Sequence, residues 1–210
     1  MEVSQAIEKR VSIRKWKSTP VEKEKIEKVL WAGWRAPSWG NTQPWRFIVV
    51  QDKAKIAKMA EAAGGQDTVA KAPVVIACCG AIEDFSRKLQ RESLKSVIEV
   101  GAMDWSDDFL DTVVLESDMF APYLLGEQAM TIKAGEQIMI AIAYMTIEAV
   151  NQGLGTCWVG AMSGIEVRKI LNLPDKLFVH DLLPLGYPDQ DPAPRPRRPI
   201  EKIAFWEKYE

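Results

Sequence analysis

Histidine and cysteine, the side chains that carry most nucleophilic and metal chemistry, are scarce in this sequence. It has one histidine, His180, and three cysteines, Cys78, Cys79 and Cys157. A Ser-His-Asp or Cys-His mechanism would have to use His180, and no nucleophile motif surrounds Cys157 or any serine. No Cys-x-x-Cys pair or His/Cys ligand spacing is present. We therefore predict no metal site, no Ser-His-Asp or Cys-His mechanism, a local hydrogen-bonding role for His180, and buried, reduced cysteines.

The chain also lacks an excess of one charge and a long apolar run. Lys and Arg number 27 against 29 Asp and Glu, which argues against a nucleic-acid partner. The most apolar stretch, residues 138–147, is too short to span a bilayer, and the N-terminus has no basic-then-apolar signal pattern. We expect a cytoplasmic protein with no membrane partner, and a chain of 210 residues is expected to form one domain.

The common nucleotide-binding loops are missing as well. Gly153-Leu154-Gly155 begins like a dinucleotide fingerprint, but Trp158 stands where the third glycine is required. These glycines are also predicted to follow a helix and precede a strand, which is the reverse of the Rossmann order. No GxxxxGK[ST] loop occurs. A nicotinamide cofactor, if used, is therefore not bound through a Rossmann unit of this chain.

Periodicity and capping residues predict the first helices. Residues 2–9 are expected to form a short helix. A second helix is expected to start with Thr19 as N-cap, Pro20 in the first position and Glu22 closing a capping box, and to end before Pro37. Its predicted apolar side consists of Ile26, Val29, Leu30 and Trp34.

Strand and turn signals predict the rest of the ordered framework. Further capped helices are expected after Asp52, ending at Gly64-Gly65, and after Ser163. The predicted strands cover residues 45–50, 73–79, 156–159 and 177–187. Residues 73–79 are apolar on both faces, which is typical of a central strand.

Three regions give weaker or different signals. Residues 81–133 are predicted to be helices joined by loops. Residues 135–151 are predicted to form a helix that is apolar nearly all round, which indicates a central helix or one packed against a second subunit. Residues 188–199 hold five of the twelve prolines, so they are expected to run extended over their own domain or over a partner.

Two arginine-bearing segments are suited to binding a phosphate. Arg10 and Arg14 flank Ser12, and Arg195 and Arg197 lie in the proline-rich tail. A guanidinium group matches the acceptor oxygens of a phosphate monoester in a bidentate way. The alternative is that these arginines are solvated surface charges.

Two further segments are suited to the edge of a flat heterocycle. Ser38 and Asn41 lie on a turn, and an Asn amide offers both donors and an acceptor to a pyrimidine edge. The alternative is that Asn41 stabilises the turn itself. Gly160 permits close backbone approach, so an amide there could reach a ring nitrogen; the alternative is a simple strand-to-loop glycine.

Together these segments resemble the FMN-dependent nitroreductase family, through RxSxR, PSxxNxQPW, GLGxxW and a terminal Arg/Pro segment in the family order. The resemblance covers residues 10–209. It implies that Arg10, Ser12 and Arg14 hold the phosphate and ribityl chain of FMN, and that Arg197, with Arg195, closes on the phosphate.

The resemblance also assigns the ring contacts. It implies that Pro37, Ser38 and Asn41 reach the flavin of the other subunit, and that the backbone around Gly160 and Ala161 faces the redox edge. The family often has a basic residue after the first arginine. This chain has Val11 there, which puts one polar flavin contact in doubt.

The resemblance also implies a fold, an assembly and a reaction. The fold is a three-layer α/β/α sandwich of the α+β class, which assembles as an intertwined homodimer whose C-terminal tail, residues 188–210, reaches the partner. NADH or NADPH passes hydride to flavin N5 in a ping-pong cycle, and a nitroaromatic, a quinone or a similar small molecule accepts the electrons. The alternatives are another reaction of the superfamily, such as reductive dehalogenation or flavin fragmentation, and a non-catalytic FMN-binding dimer.

Overall fold

The computed structural model describes residues 1–209. The helices are α1 (Val3–Lys9), α2 (Lys23–Trp34), α3 (Lys53–Ala62), α4 (Asp67–Ala70), α5 (Arg87–Glu99), α6 (Asp107–Phe109), α7 (Glu127–Asn151) and α8 (Gly164–Ile170). The strands are β1 (Trp45–Val50), β2 (Val74–Ala81), β3 (Gly155–Thr156) and β4 (Leu177–Gly186). No helix within these residues is long and apolar enough to cross a membrane.

Within the described residues, the strands form one antiparallel sheet in the order β1-β2-β4-β3. All eight residues of β2 are buried. Alternate β2 side chains therefore enter two different cores. Val74, Ile76 and Cys78 pack with α2 and α7, whereas Val75, Ala77 and Cys79 pack on the side of α3, α4 and α8. The predicted central strand and the three-layer α+β sandwich are confirmed.

Several local signals are confirmed by the structure. The side chains of Asp52 and Ser163 cap α3 and α8, because each accepts a hydrogen bond from a backbone N–H three residues on. Gly64 and Gly65 follow α3 with φ of 71° and 74°, the left-handed conformation that ends helices. The three cysteines are buried and unpaired. Burial raises the pKa of the Cys79 thiol to about 12, so this thiol is inert.

The predicted start of the second helix is wrong. Helix α2 begins at Lys23, and the side chain of Glu22 makes no capping hydrogen bond. The Tyr187 hydroxyl instead donates to Glu22 Oε2 at 2.6 Å, and Lys25 Nζ donates to the same hydroxyl at 2.7 Å. A long-range contact with the end of β4 therefore replaces the local capping box that begins at Thr19.

Two helices expose large apolar side chains in the single chain. Trp34 was expected on the apolar side of α2, but it is 55% exposed. Helix α7 begins at Glu127, eight residues before the predicted start, and one face of it lies against the sheet. Its opposite face exposes Ile132, Met139, Ile140 and Tyr144. The helix was predicted to be apolar nearly all round. In the structure one of its apolar faces is buried and the other is uncovered.

Residues 81–133 contain helices joined by turns, as expected, and they build a small core of their own. Leu94, Leu110, Val114 and Leu115 form this core, apart from the two cores of the sheet. Three ion pairs join α5 to the following segment: Arg87–Glu116, Arg91–Asp111 and Lys95–Asp107. The segment is also tied to the rest of the chain, since Ser93 donates to the Gly40 carbonyl and Glu83 pairs with Lys176.

Candidate functional site

The first arginine-bearing segment is attached to the edge of the sheet. The Arg10 N–H closes helix α1 by donating to the Ala6 carbonyl at 3.0 Å. The chain then runs extended beside β3, where Ser12 pairs with Thr156 and the Ile13 N–H donates to the Thr156 carbonyl at 2.8 Å. Gly155 permits this approach, because a side chain there would collide with Ile13.

This attachment places Arg10 and Ser12 in one cavity of about 410 Å³. The other lining residues are Ala143, Thr146, Ile147, Thr156 and Trp158. Arg10 and Ser12 are half-buried, so the cavity is partly formed in one chain. Thr156 and Trp158 were not among the predicted site residues. Thr156 and Trp158 stand on either side of the buried Cys157. Residues two apart in an extended segment lie on the same face, and this spacing is the signal that could have indicated both residues.

Arg14 lines a second cavity, of about 730 Å³, together with Arg195 of the tail. The start of the tail is held there, since the Asp189 N–H donates to the Lys15 carbonyl at 2.9 Å and Pro188 pairs with Trp16. The structure therefore brings one predicted residue of each arginine segment together.

The arginines of both segments are available to an anion. Within residues 1–209, Arg10, Arg14 and Arg195 form no ion pair with a carboxylate. Among the described residues, Arg197 donates to the backbone carbonyls of Arg195 and Pro196, both at 3.2 Å. Unpaired guanidinium groups around a cavity fit the terminal phosphate of FMN. Arg197 itself is exposed and lines neither cavity.

The predicted turn, residues 38–43, has an unusual backbone. Gly40, Asn41 and Gln43 have φ of 53°, 56° and 47°. The Ser38 hydroxyl accepts from the Gln43 N–H at 3.0 Å, and Asn41 Oδ1 accepts from Gln43 Nε2 at 3.1 Å. Ser38 and Asn41, which were predicted to contact the ring, therefore also stabilise the turn. This is the role that the sequence analysis gave as the alternative for Asn41. Pro37 is exposed between α2 and the turn.

Two other elements anchor this turn from behind. The buried Gln137 of α7 accepts from the Trp39 N–H at 2.8 Å, and Ser93 of α5 donates to the Gly40 carbonyl at 2.8 Å. Asn41 lines a polar cavity of about 360 Å³ that also contains Asp84. Burial raises the pKa of Asp84, although Arg46 opposes the shift. Within one chain this turn is not part of the Arg10 cavity.

The predicted residues Gly160 and Ala161 lie in the loop of residues 157–163, which follows β3. The strand predicted over residues 156–159 is wrong in its bounds, because β3 covers only Gly155–Thr156. Val159 pairs with Leu182 of β4, and the Ala161 carbonyl accepts from Gln66 Nε2 at 3.0 Å. Gly160 and Ala161 are both exposed. The backbone of this loop is thus fixed from behind while its outer side is open.

The sequence and fold both match known proteins. A family model described as the nitroreductase family matches residues 7–187. A Thermus thermophilus protein named NADH dehydrogenase is 33% identical over 198 residues, covering 94% of this chain and 92% of the relative. A Bacillus subtilis protein named FMN reductase (NAD(P)H) is 33% identical over 213 residues, covering 99% of this chain and 74% of the relative.

A solved structure shows the same fold. The nitroreductase family protein of Streptococcus pneumoniae superposes with a TM-score of 0.77 at 21% identity, and the match covers 98% of this chain and all of that one. The relatives named above are oxidoreductases by name. Since the family model spans most of the sequence and the layered fold agrees with it, this chain belongs to the nitroreductase family.

Proposed function

We propose that the protein is an FMN-dependent NAD(P)H oxidoreductase that works as a homodimer and reduces nitroaromatics, quinones or similar small molecules. The observation that carries this proposal is the Arg10 cavity, where an unpaired guanidinium and the Ser12 hydroxyl meet beside β3. The FMN reductase named among the relatives supports the choice of flavin. The NADH dehydrogenase named there supports a nicotinamide donor.

The arginines would hold the phosphate of FMN. Arg10 and Ser12 line one cavity. Arg14 and Arg195 line the other with Lys15 and Lys71, and these four positive charges exceed the three negative charges of Asp67, Asp189 and Asp191. Arg197 would join the other arginines when the ligand or a second subunit brings the exposed tail against the site. A terminal phosphate is gripped most fully by such groups, which favours FMN over FAD.

The flavin ring would lie between two subunits. The backbone of Gly160 and Ala161 would face its redox edge from one chain, because that side of the loop is open. Pro37, Ser38 and Asn41 would reach it from the partner, since their turn lines a different cavity within its own chain. The polar groups of the turn that form no hydrogen bond within it would then be free to bond the ring.

A second copy of the chain would cover the apolar surface of α7. Four large side chains are exposed along this helix, and Val3 and Ile7 of the neighbouring α1 are 68% and 57% exposed. Removing apolar surface from water is favourable by about 25 cal/mol per Å² and drives most protein–protein association. Adjacent helices with uncovered apolar side chains mark an interaction surface. The wall of the Arg10 cavity includes Ala143 and Ile147 of α7, so the same interface would close the site.

Bound FMN would supply the chemistry, taking hydride from NADH or NADPH at N5 and returning two electrons to the acceptor in a ping-pong cycle. The side chains bind and orient the cofactor and exclude water. We assign no catalytic side chain. His180, the only histidine, donates or accepts locally with Asp181 at 2.5 Å.

The test is the absorption spectrum of the purified protein before and after anaerobic NADH or NADPH. We expect flavin absorption near ~450 nm that NAD(P)H bleaches, followed by steady oxidation of NAD(P)H with a nitroaromatic or quinone. Only FAD, or no flavin after incubation with FMN, would contradict the cofactor. Bound FMN that NAD(P)H never bleaches would favour the non-catalytic dimer, and halide release from a haloaromatic without nitro reduction would favour dehalogenation.

A further inference from the structure

The pairing of β4 with β2 is interrupted at the only histidine. Cys78 pairs with Asp181, but the next β2 residue, Cys79, pairs with Val179. His180 therefore has no partner on β2 and forms a bulge. Bulges redirect side chains and occur often beside functional sites. The function proposed above uses neither His180 nor Asp181.

Two glycines make room for this pair. A Cβ atom on Gly160 would lie 2.9 Å from Asp181 Oδ1, and a Cβ atom on Gly135 of α7 would lie 2.8 Å from His180 Nε2. The Asp181 carboxylate thus lies directly behind the backbone of Gly160, and the imidazole reaches from there to α7. An alanine at either glycine would displace one member of the pair.

Asp181 is a buried acid with one partner. It is 4% exposed, and His180 Nδ1 lies 2.5 Å from its Oδ2. Within residues 1–209 no lysine or arginine pairs with this carboxylate. A buried carboxylate is costly, and an apolar residue is often as stable at such a position. The neighbours Leu182, Leu183 and Leu185 show that this part of β4 accommodates apolar side chains.

We propose that the carboxylate of Asp181, oriented by His180, tunes the reduction potential of FMN bound against the loop of residues 157–163. This inference rests on the proposed function, because it takes the backbone of Gly160 as the flavin contact. Reduction adds negative charge to a flavin ring, and charge near the ring nitrogens shifts its potential. A buried carboxylate behind Gly160 opposes reduction more than an exposed one would, because the surrounding dielectric is low.

The experiment is the midpoint potential of the FMN-loaded protein, measured by anaerobic equilibration with an indicator dye. We expect D181N to raise the potential by about 30 mV, which is a tenfold change in the two-electron equilibrium. H180Q keeps a donor for Asp181 and is expected to leave the potential unchanged or lower it. D175N is the matched control, since Asp175 is 96% exposed and pairs with Arg168; it should not move the potential.

The outcomes separate the inference from the proposed function. An unmoved potential in D181N, or a rise in both D181N and H180Q, overturns the inference, because a displaced loop would shift both variants alike. If D181N does not fold, D181T takes its place, since a hydroxyl can still bond His180. Wild-type protein that binds no FMN overturns the proposed function and the inference together. FMN affinity within about threefold of wild type in D181N confirms that the potential reports charge rather than lost binding.

Discussion

The two arginine-bearing segments have opposite structural settings. The segment of residues 10–14 is paired with β3, and its Ile13 is buried. The tail is tied at Pro188 and Asp189, but residues 193–209 are exposed. The first segment is therefore the half of the proposed phosphate site that one chain already holds in place. The second segment is exposed in one chain, and in the proposed complex FMN, a second subunit or both would cover it.

The difference has an energetic consequence. Immobilising a flexible side chain on binding costs roughly 0.5–1.5 kcal/mol, and a pre-organised group avoids this cost. Arg10, whose backbone is fixed at the end of α1, should contribute more net affinity than Arg197, which lies on an exposed segment and donates to the carbonyls of Arg195 and Pro196. The following predictions test this contrast, beginning with the largest effect.

Deleting residues 192–210 should abolish dimerisation and weaken FMN binding by at least about a hundredfold, because Arg195, Arg197 and the exposed aromatic end are lost together. The deletion keeps the contacts of Pro188 and Asp189 with the first segment. Size exclusion with light scattering and FMN titration measure both effects. A truncated protein that stays dimeric and yellow would show that the tail is dispensable.

The matched control is deletion of residues 200–210 alone. This variant keeps every tail arginine but removes Ile200, Ile203, Phe205, Trp206 and Tyr209, which are exposed in one chain. We expect weaker dimerisation with a smaller loss of FMN affinity. Equal losses in the two deletions would mean that the arginines contribute nothing of their own.

Replacing single arginines should separate the two segments. A hydrogen bond to a charged group contributes about 1.5–3 kcal/mol, so we expect R10A to weaken FMN binding by roughly a hundredfold and R197A by roughly tenfold. R198A is the control, because Arg198 is an exposed tail arginine without an assigned role. Fluorescence titration with FMN measures all three. If R10A and R197A both bind like R198A, the phosphate site is wrongly assigned.

The smallest effect is expected for S12A. A neutral hydroxyl contributes about 0.5–1.5 kcal/mol to a hydrogen bond, so FMN affinity should fall by roughly two- to tenfold. The backbone pairing of Ser12 with Thr156 does not use the side chain, and the melting temperature should stay near that of wild type. S18A, in an exposed loop position, is the control. A melting temperature that falls together with affinity would indicate a structural role instead.

Local patterns predicted those elements whose cause is local. Asp52 and Ser163 cap helices within three residues, and residues 73–79 alternate between two apolar cores. The capping box beginning at Thr19 failed because Glu22 bonds Tyr187, which lies 165 residues away. The two partners are too far apart in the sequence for a local pattern to predict their hydrogen bond.

The candidate site shows the same division. Arg10 and Ser12 were found from a five-residue motif, and the structure places both in one cavity. Thr156 and Trp158 were missed because their role depends on the pairing of β3 with the first segment. The turn of residues 38–43 was found, but its anchors Gln137 and Ser93 come from distant helices.

By itself the sequence determined the layered framework, the extended tail and the family resemblance, since each follows from the order of apolar, capping, proline and motif residues along the chain. Only the tertiary structure decided that α7 leaves an apolar face uncovered, that the arginines divide between two cavities, and that Asp181 lies behind Gly160. These features depend on strand register and helix packing. A bulge of one residue at His180 is enough to change which side chains meet.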